Sequence, residues 1–253
     1  MKEIAINVLF TLALAAPALS DAAEIRVATA SNFRDAMTAL AREFGQESEH
    51  RVVPVYGSTG KHFAQIINGA PFDAFFAADS RRPEQLEREG FTVPGSRFIY
   101  ARGQLVLWSP RTEYVDDKGL VLSQGDFRHL AIANPELAPY GAAARDVLES
   151  LGLWQALGPR LVQGENIGQA FLFVASGNAE LGFVAWSQLA TGQQPVEGSM
   201  WRVPENLYRP VEQQAVALTD NEATRAFLAF IRGEQAARII RAHGYSTPPT
   251  GLP

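Results

Sequence analysis

Apolar positions along the chain follow two rhythms that take turns. Continuous or β-branched runs at residues 24–29, 51–56 and 73–77 read as buried strands. Between them, Phe33, Ala36, Met37, Leu40, Ala41 and Phe44 recur every three to four residues and predict an amphipathic helix over 32–44. A second helix is predicted over 60–68, with Phe63, Ile66 and Ile67 on one face and Gly69 placed to cap it. Residues 82–89 predict a charged, solvated helix. The second half uses the same grammar without repeating the sequence. Strands are expected at 104–108, 129–133 and 181–185, and helices at 141–151 and 166–176, the latter closed by Gly177. A Pro-containing polar connection at 202–209 leads into a long β-rich run at 211–218, and helices at 222–232 and 234–242 end the pattern. Strands alternating with helices of this length predict an α/β fold, its sheets mostly parallel and covered by helices on both faces.

The first twenty residues differ in kind. Lys2 begins them, residues 4–16 are almost wholly apolar, and Ala18-Leu19-Ser20 offers small side chains at a cleavage site. That layout predicts a signal peptide over 1–20, too short for a stable bilayer span, with the mature chain starting near Asp21. The chain has no cysteine. Disulfides, thiol catalysis, thiolate metal sites and a lipoprotein anchor are therefore excluded. A leader without an anchor predicts a protein free in the periplasm. At 253 residues there is room for two lobes of ordinary size. The net charge of −5 argues against nucleic acid or an anionic membrane as partner. Any anion site must then work locally, against the average field of the protein.

Candidate chemistry gathers where strands run into helices. Val27-Ala28-Thr29-Ala30-Ser31-Asn32-Phe33 and Tyr56-Gly57-Ser58-Thr59-Gly60 both end a β-like run in small hydroxyl or amide residues at a helix start. Such starts present free N–H groups and the positive end of the helix dipole. For Ser31-Asn32 the plain alternative is an ordinary N-cap, although open α/β sheets bind ligands beyond the carboxyl ends of their strands. The Gly60-Lys61 pair is not a P-loop, because Val55 occupies the first glycine position and His62 follows the lysine. Pro139-Tyr140-Gly141 precedes a third helix. There Tyr140 is either an anion donor or a structural tyrosine, and Gly141 permits a close backbone approach to a ligand. Glu165-Asn166-Ile167-Gly168 opens a fourth, with Asn166 as cap and the Ile167 amide unpaired. Catalytic signatures are missing: there is no G-x-S-x-G, and His50, His62, His129 and His243 lack ligand spacing and read as lone surface residues. The carboxylates form no acid/base pair. These features point to a protein that holds an oxyanion and does not transform it.

Taken in order, Ala30-Ser31-Asn32-Phe33, Gly57-Ser58-Thr59-Gly60, Asn68-Gly69-Ala70-Pro71-Phe72-Asp73, Phe76-Ala77-Ala78-Asp79, Ala133-Asn134-Pro135, Ala138-Pro139-Tyr140-Gly141 and Glu165-Asn166-Ile167-Gly168-Gln169 resemble the molybdate-binding proteins of bacterial molybdate ABC importers, over about 24–245. The resemblance implies a two-lobed type II periplasmic binding protein, α/β with mixed, mostly parallel sheets and the ligand in the cleft between lobes. The chain would cross near 100–103 and 208–211, making lobe one from 21–102 plus 210–253 and lobe two from 103–209. Carried over by position, the ligand would lie against Ser31, Asn32 and Thr59 of lobe one and against Tyr140 and the Ile167 amide of lobe two. One branch of the family has a tyrosine where Ala185 stands here, and Tyr140 is the implied substitute. Thr59 replaces the more usual serine, keeping the hydroxyl. The resemblance further implies a monomer that is not an enzyme and has no cofactor. Molybdenum would be present only as bound molybdate, with tungstate as a second ligand and a membrane ABC permease as partner. The alternatives are a receptor for sulfate or another tetrahedral oxyanion, and a secreted hydrolase using Ser31 or Thr59, for which only His62 is near in sequence.

Overall fold

In the computed structural model, residues 22–190 and 197–248 are described, so the leader predicted at 1–20 lies outside the described residues. The apolar runs form two five-stranded sheets. The first joins β1 (Glu24–Ala30), β2 (Arg51–Gly57), β3 (Ala74–Ala77), β4 (Phe98–Gly103) and β10 (Val211–Ala217) in the order β2-β1-β3-β10-β4. The second joins β5 (Leu105–Ser109), β6 (Leu130–Ala133), β7 (Leu161–Gly164), β8 (Leu181–Ala185) and β9 (Ser199–Arg202) in the order β7-β6-β8-β5-β9. The two are built alike. β1 runs parallel to β2 and β3, and β10 runs antiparallel to β3 and β4. Likewise β6 runs parallel to β7 and β8, and β5 runs antiparallel to β8 and β9. The chain passes from the first sheet to the second at Gln104 and returns between Arg202 and Val211.

Helices cover both sheets: α1 (Arg34–Glu47), α2 (Thr59–Ile67), α3 (Arg81–Arg88), α4 (Val121–Gln124), α5 (Pro139–Ser150), α6 (Trp154–Leu157), α7 (Ile167–Ala175), α8 (Trp186–Leu189), α9 (Glu222–Arg232) and α10 (Glu234–Ala242). Alternation along the strands divides the core. Phe76 of β3 packs with Phe33, Met37 and Phe227 on one face, while its neighbour Phe75 packs with Ile66 and Leu86 on the other. In the second sheet Leu105 and Leu107 face one cluster, and Val106 and Trp108 face another. With both faces covered, strands such as β3, β5, β6 and β8 are buried at every position, which is why they read as continuous apolar runs.

The structure departs from the sequence reading at several points. β4, β7 and β9 were not expected as strands, and each is an edge strand of its sheet. An edge strand packs against one neighbour only, so its apolar signal is weak. The first helix begins as a 3-10 turn over Ser31–Phe33 before α1, and Ala30, not Ser31, is its cap. Helix α3 is not simply solvated: Arg82 and Leu86 are buried, and Arg82 pairs with Asp79. His62 is no surface residue either. Its ring is buried on α2, with Nε2 3.2 Å from the Thr29 carbonyl, against Phe72 and Phe75.

Candidate functional site

Four helix beginnings meet between the two sheets. Ser31 and Asn32 open the 3-10 turn after β1, and Thr59 is the first residue of α2 after β2. Pro139 and Tyr140 begin α5, and Ile167 begins α7. All line one cavity of about 10 Å³, together with Ser58, Ala138 and Asn166. Every residue nominated from the sequence, Ser31, Asn32, Thr59, Tyr140 and Ile167, is therefore at one place, the first three from one lobe and the last two from the other. Ala185 is a buried residue of the second lobe's core and does not line the cavity. So small a space is about the room of one water molecule. It is far less than an organic solute needs.

The lining mixes hydroxyl and amide side chains with small apolar residues and carries no charged side chain. Ser58 caps α2, its Oγ accepting from Lys61 N at 3.3 Å, and Asn166 caps α7, its Oδ1 accepting from Gln169 N at 3.1 Å. These caps leave the Thr59 and Ile167 amides at the first helical positions, where no carbonyl one turn earlier can receive them. Thr59 Oγ1 accepts from Ala78 N at 3.1 Å, and Ser31 Oγ accepts from Gly168 N at 3.3 Å. Each hydroxyl keeps its own proton to give. Burial pushes the Tyr140 phenol well above its ordinary pKa, so it remains a protonated donor. The Asn32 side chain is engaged within the protein. Its Nδ2 donates to Gln213 Oε1 at 2.8 Å and to the Tyr245 hydroxyl at 3.0 Å. What remains for a ligand is its main-chain N–H at the start of the turn.

Contacts across the cleft hold the lobes together. Gly60 N donates to Leu137 O at 2.8 Å, and Arg82 Nη2 donates to Glu136 O at 2.8 Å. Ser187 Oγ donates to Asn32 O at 3.2 Å, and Lys61 and Glu165 form an exposed ion pair at 3.1 Å. Gly141 serves packing within the second lobe and not a ligand. A side chain there would collide with the backbone of Ala133 and Asn134, so its expected role is corrected: it brings α5 against the end of β6.

Sequence reasoning missed Gln213, Tyr100, Tyr245 and Ser187, a buried polar network beneath Asn32. The only signal available was a pair of adjacent glutamines inside an apolar strand, at Gln213 and Gln214. A hydrolytic arrangement does not form, because the His62 ring is turned to the Thr29 carbonyl and Gln65. No cluster of three or more metal-ligating side chains occurs among the described residues. Nor is any described helix long and apolar enough to cross a membrane.

Comparison with known proteins agrees with this geometry. Residues 25–246 match the family model described as bacterial extracellular solute-binding protein. The chain is 51% identical to the molybdate-binding protein ModA of Azotobacter vinelandii over 229 residues, covering 89% of this chain and 91% of the relative. It is 45% identical to ModA of Rhodobacter capsulatus over 239 residues, covering 93% and 92%. The solved periplasmic molybdate-binding protein of Azotobacter vinelandii superposes with a TM-score of 0.85 at 44% identity, covering 89% of this chain and all of that one. With its two-lobed α/β fold and a family match spanning nearly the whole described chain, this protein belongs to the bacterial extracellular solute-binding protein family.

Proposed function

We propose that this protein is a periplasmic receptor that captures molybdate, and tungstate as well, and delivers it to a membrane ABC importer. The observation that carries the reading is the convergence of four helix starts and four hydroxyls on one small cavity without a charged lining. A fully ionised tetrahedral dianion only accepts hydrogen bonds. N–H and O–H donors suit it, and a carboxylate would repel it. The donors are the Ser31, Thr59 and Tyr140 hydroxyls and the Asn32 and Ile167 amides. Hydrogen bonds to charged groups contribute about 1.5–3 kcal/mol each. Five of them total about 7.5–15 kcal/mol, a range that spans the roughly −8 kcal/mol micromolar binding needs. The choice of molybdate among such anions is supported by relatives at 51% and 45% identity that are named for it.

The rest of the reading follows from that role. Lobe one comprises 21–102 plus 210–253 and lobe two 103–209, supported by the changes of sheet at Gln104 and after Arg202. The leader at 1–20 directs secretion, and the mature protein acts as a monomer without an anchor, cofactor or catalysis. Closing brings the Tyr140 and Ile167 donors onto an anion first met by lobe one, and the closed form is what a permease would recognise.

Isothermal titration of the mature chain with molybdate, tungstate, sulfate and phosphate tests this. Tight one-to-one binding of molybdate and tungstate, with sulfate ignored, is expected. Heat from sulfate and none from molybdate would move the ligand to the sulfate class. No heat from any of the four would overturn the receptor reading.

A further inference from the structure

Each hydroxyl in the cavity is held by one N–H of the protein, but not in the same way. Ser31, Ser58 and Thr59 take theirs from the Gly168, Lys61 and Ala78 main chains. Tyr140 depends on a side chain. Its hydroxyl lies 3.5 Å from Gln213 Nε2, the one hydrogen-bond partner it has among the described residues.

The carboxamide of Gln213 cannot turn around. It is fully buried on β10, where the register with β4 shifts between Gln213 and Gln214. Such a bulge re-aims a side chain that would otherwise follow the strand's alternation. Gln213 Oε1 accepts from Asn32 Nδ2 at 2.8 Å, and the Tyr100 hydroxyl, 3.0 Å away, shares its one proton between this oxygen and Ala77 O. With the Asn32 donor on the oxygen, the nitrogen is directed at Tyr140, and an amide nitrogen can only donate. Gly103, at the end of β4, leaves the room for this meeting. A Cβ there would collide with the Tyr140 hydroxyl and come within 2.8 Å of Gln213 Nε2.

We propose that Gln213 is a positioning residue that sets the anion specificity of the site: by donating to the Tyr140 hydroxyl it obliges Tyr140 to give its own proton to the ligand, so that fully deprotonated oxyanions are held and protonated ones are refused. A hydrogen phosphate carries an O–H that needs an acceptor. The acceptor position of the Tyr140 oxygen is taken by Gln213, and the Ser31, Ser58 and Thr59 oxygens each receive one main-chain N–H, leaving a single weak lone pair apiece. No residue of the lining is a carboxylate. Without Gln213, the Tyr140 hydroxyl is free to rotate and to serve as acceptor.

This inference rests on the receptor reading, and the experiment separates the two. Molybdate and phosphate are titrated calorimetrically near neutral pH into wild type, Gln213→Met, Tyr140→Phe and the double variant. In the wild-type background Gln213→Met should weaken molybdate by about tenfold or more, whereas in the Tyr140→Phe background the same change should cost less than about twofold. Phosphate should not weaken in parallel, so the ratio of the two affinities narrows. A merely structural glutamine would lower molybdate binding equally in both backgrounds and leave the ratio unchanged, and that result overturns the proposal. Should Gln213→Met not fold, Gln213→Glu takes its place in the same cycle. It keeps an oxygen for Asn32 and Tyr100 and replaces the donor that faces Tyr140 by a carboxylate acceptor, which takes the Tyr140 proton away from the ligand, so the loss of molybdate binding should again shrink in the Tyr140→Phe background. A wild type that binds molybdate while Gln213 and Tyr140 prove uncoupled refutes this inference alone, and a wild type that binds no anion refutes the receptor reading with it.

Discussion

Replacing Gly60 by alanine should separate closure of the lobes from the donors that face the anion. Gly60 is the second residue of α2, and its N–H reaches across the cleft to Leu137 O at 2.8 Å. A Cβ at this position would lie 2.9 Å from Leu137 O, 3.1 Å from Leu137 Cα and 2.9 Å from Arg82 Nη2. The arginine tip is held by Asp79 and by Glu136 O, so moving it aside would break a second contact across the cleft. The Leu137 carbonyl is main chain between β6 and α5 and cannot move aside, so the lobes must stay apart by a few tenths of an ångström. Overpacking of this kind costs about 1–3 kcal/mol, and the stretched or lost hydrogen bond costs about 0.5–1.5 kcal/mol more. A closed state raised by about 2–4 kcal/mol corresponds to a loss of affinity of about thirtyfold to a thousandfold, at about 1.4 kcal/mol per factor of ten. The parted form is not penalised, and alanine suits a helix better than glycine by up to about 1 kcal/mol. The expected signature is thus weak molybdate binding by calorimetry together with an anion-free thermal midpoint that is unchanged or raised. Small-angle scattering should show that saturating molybdate no longer compacts the variant as it does wild type. Affinity within about threefold of wild type would show that this cross-cleft contact is not part of the bound state.

Ser31→Ala and Thr59→Ala should each weaken molybdate by about one to two orders of magnitude, since each removes a hydroxyl donor to a charged ligand; wild-type affinity in both, by calorimetry, would remove them from the site. Lys61→Ala should matter little despite bridging the lobes, because the Lys61–Glu165 pair has side chains about half exposed. Exposed pairs contribute about 0–1 kcal/mol, so a loss beyond about tenfold, or one that persists at high salt, would contradict this. His62 predicts an acid-side loss of stability. Burial lowers its pKa below the ordinary 6.5, against the opposing hydrogen bonds to Gln65 and Thr29. The native state therefore holds the ring neutral, and its contribution is complete above about pH 6.5 and lost as pH falls through the lowered native value. Thermal midpoints measured from about pH 7 to about pH 5 should decline, and less steeply in His62→Gln; equal slopes would exclude His62 as a source.

How far the residues alone determined this protein depends on the distance over which each feature acts. The strand at Leu181–Ala185 and the helices Glu222–Arg232 and Glu234–Ala242 follow from local periodicity and lie where the pattern puts them. The helix starts at Ser31, Thr59, Tyr140 and Ile167 were also legible, because caps and small residues after a strand act within one turn of chain. Edge strands such as β7 and β9 were not. Their stability comes from pairing with β6 and β5, partners distant in the sequence. The same holds for the side chains. Nothing local says that Asn32 turns its amide to Gln213, 181 residues away, or that the Gly60 amide crosses to Leu137. Nor does any local pattern bury His62 and Arg82 in segments that look solvated. Backbone donors at a helix start are set by their neighbours in the chain, but the direction in which a hydroxyl gives its proton is set by whatever group folding brings against it. In this protein that division runs through the site itself: the sequence contained the donors, and the tertiary structure decided which way they point.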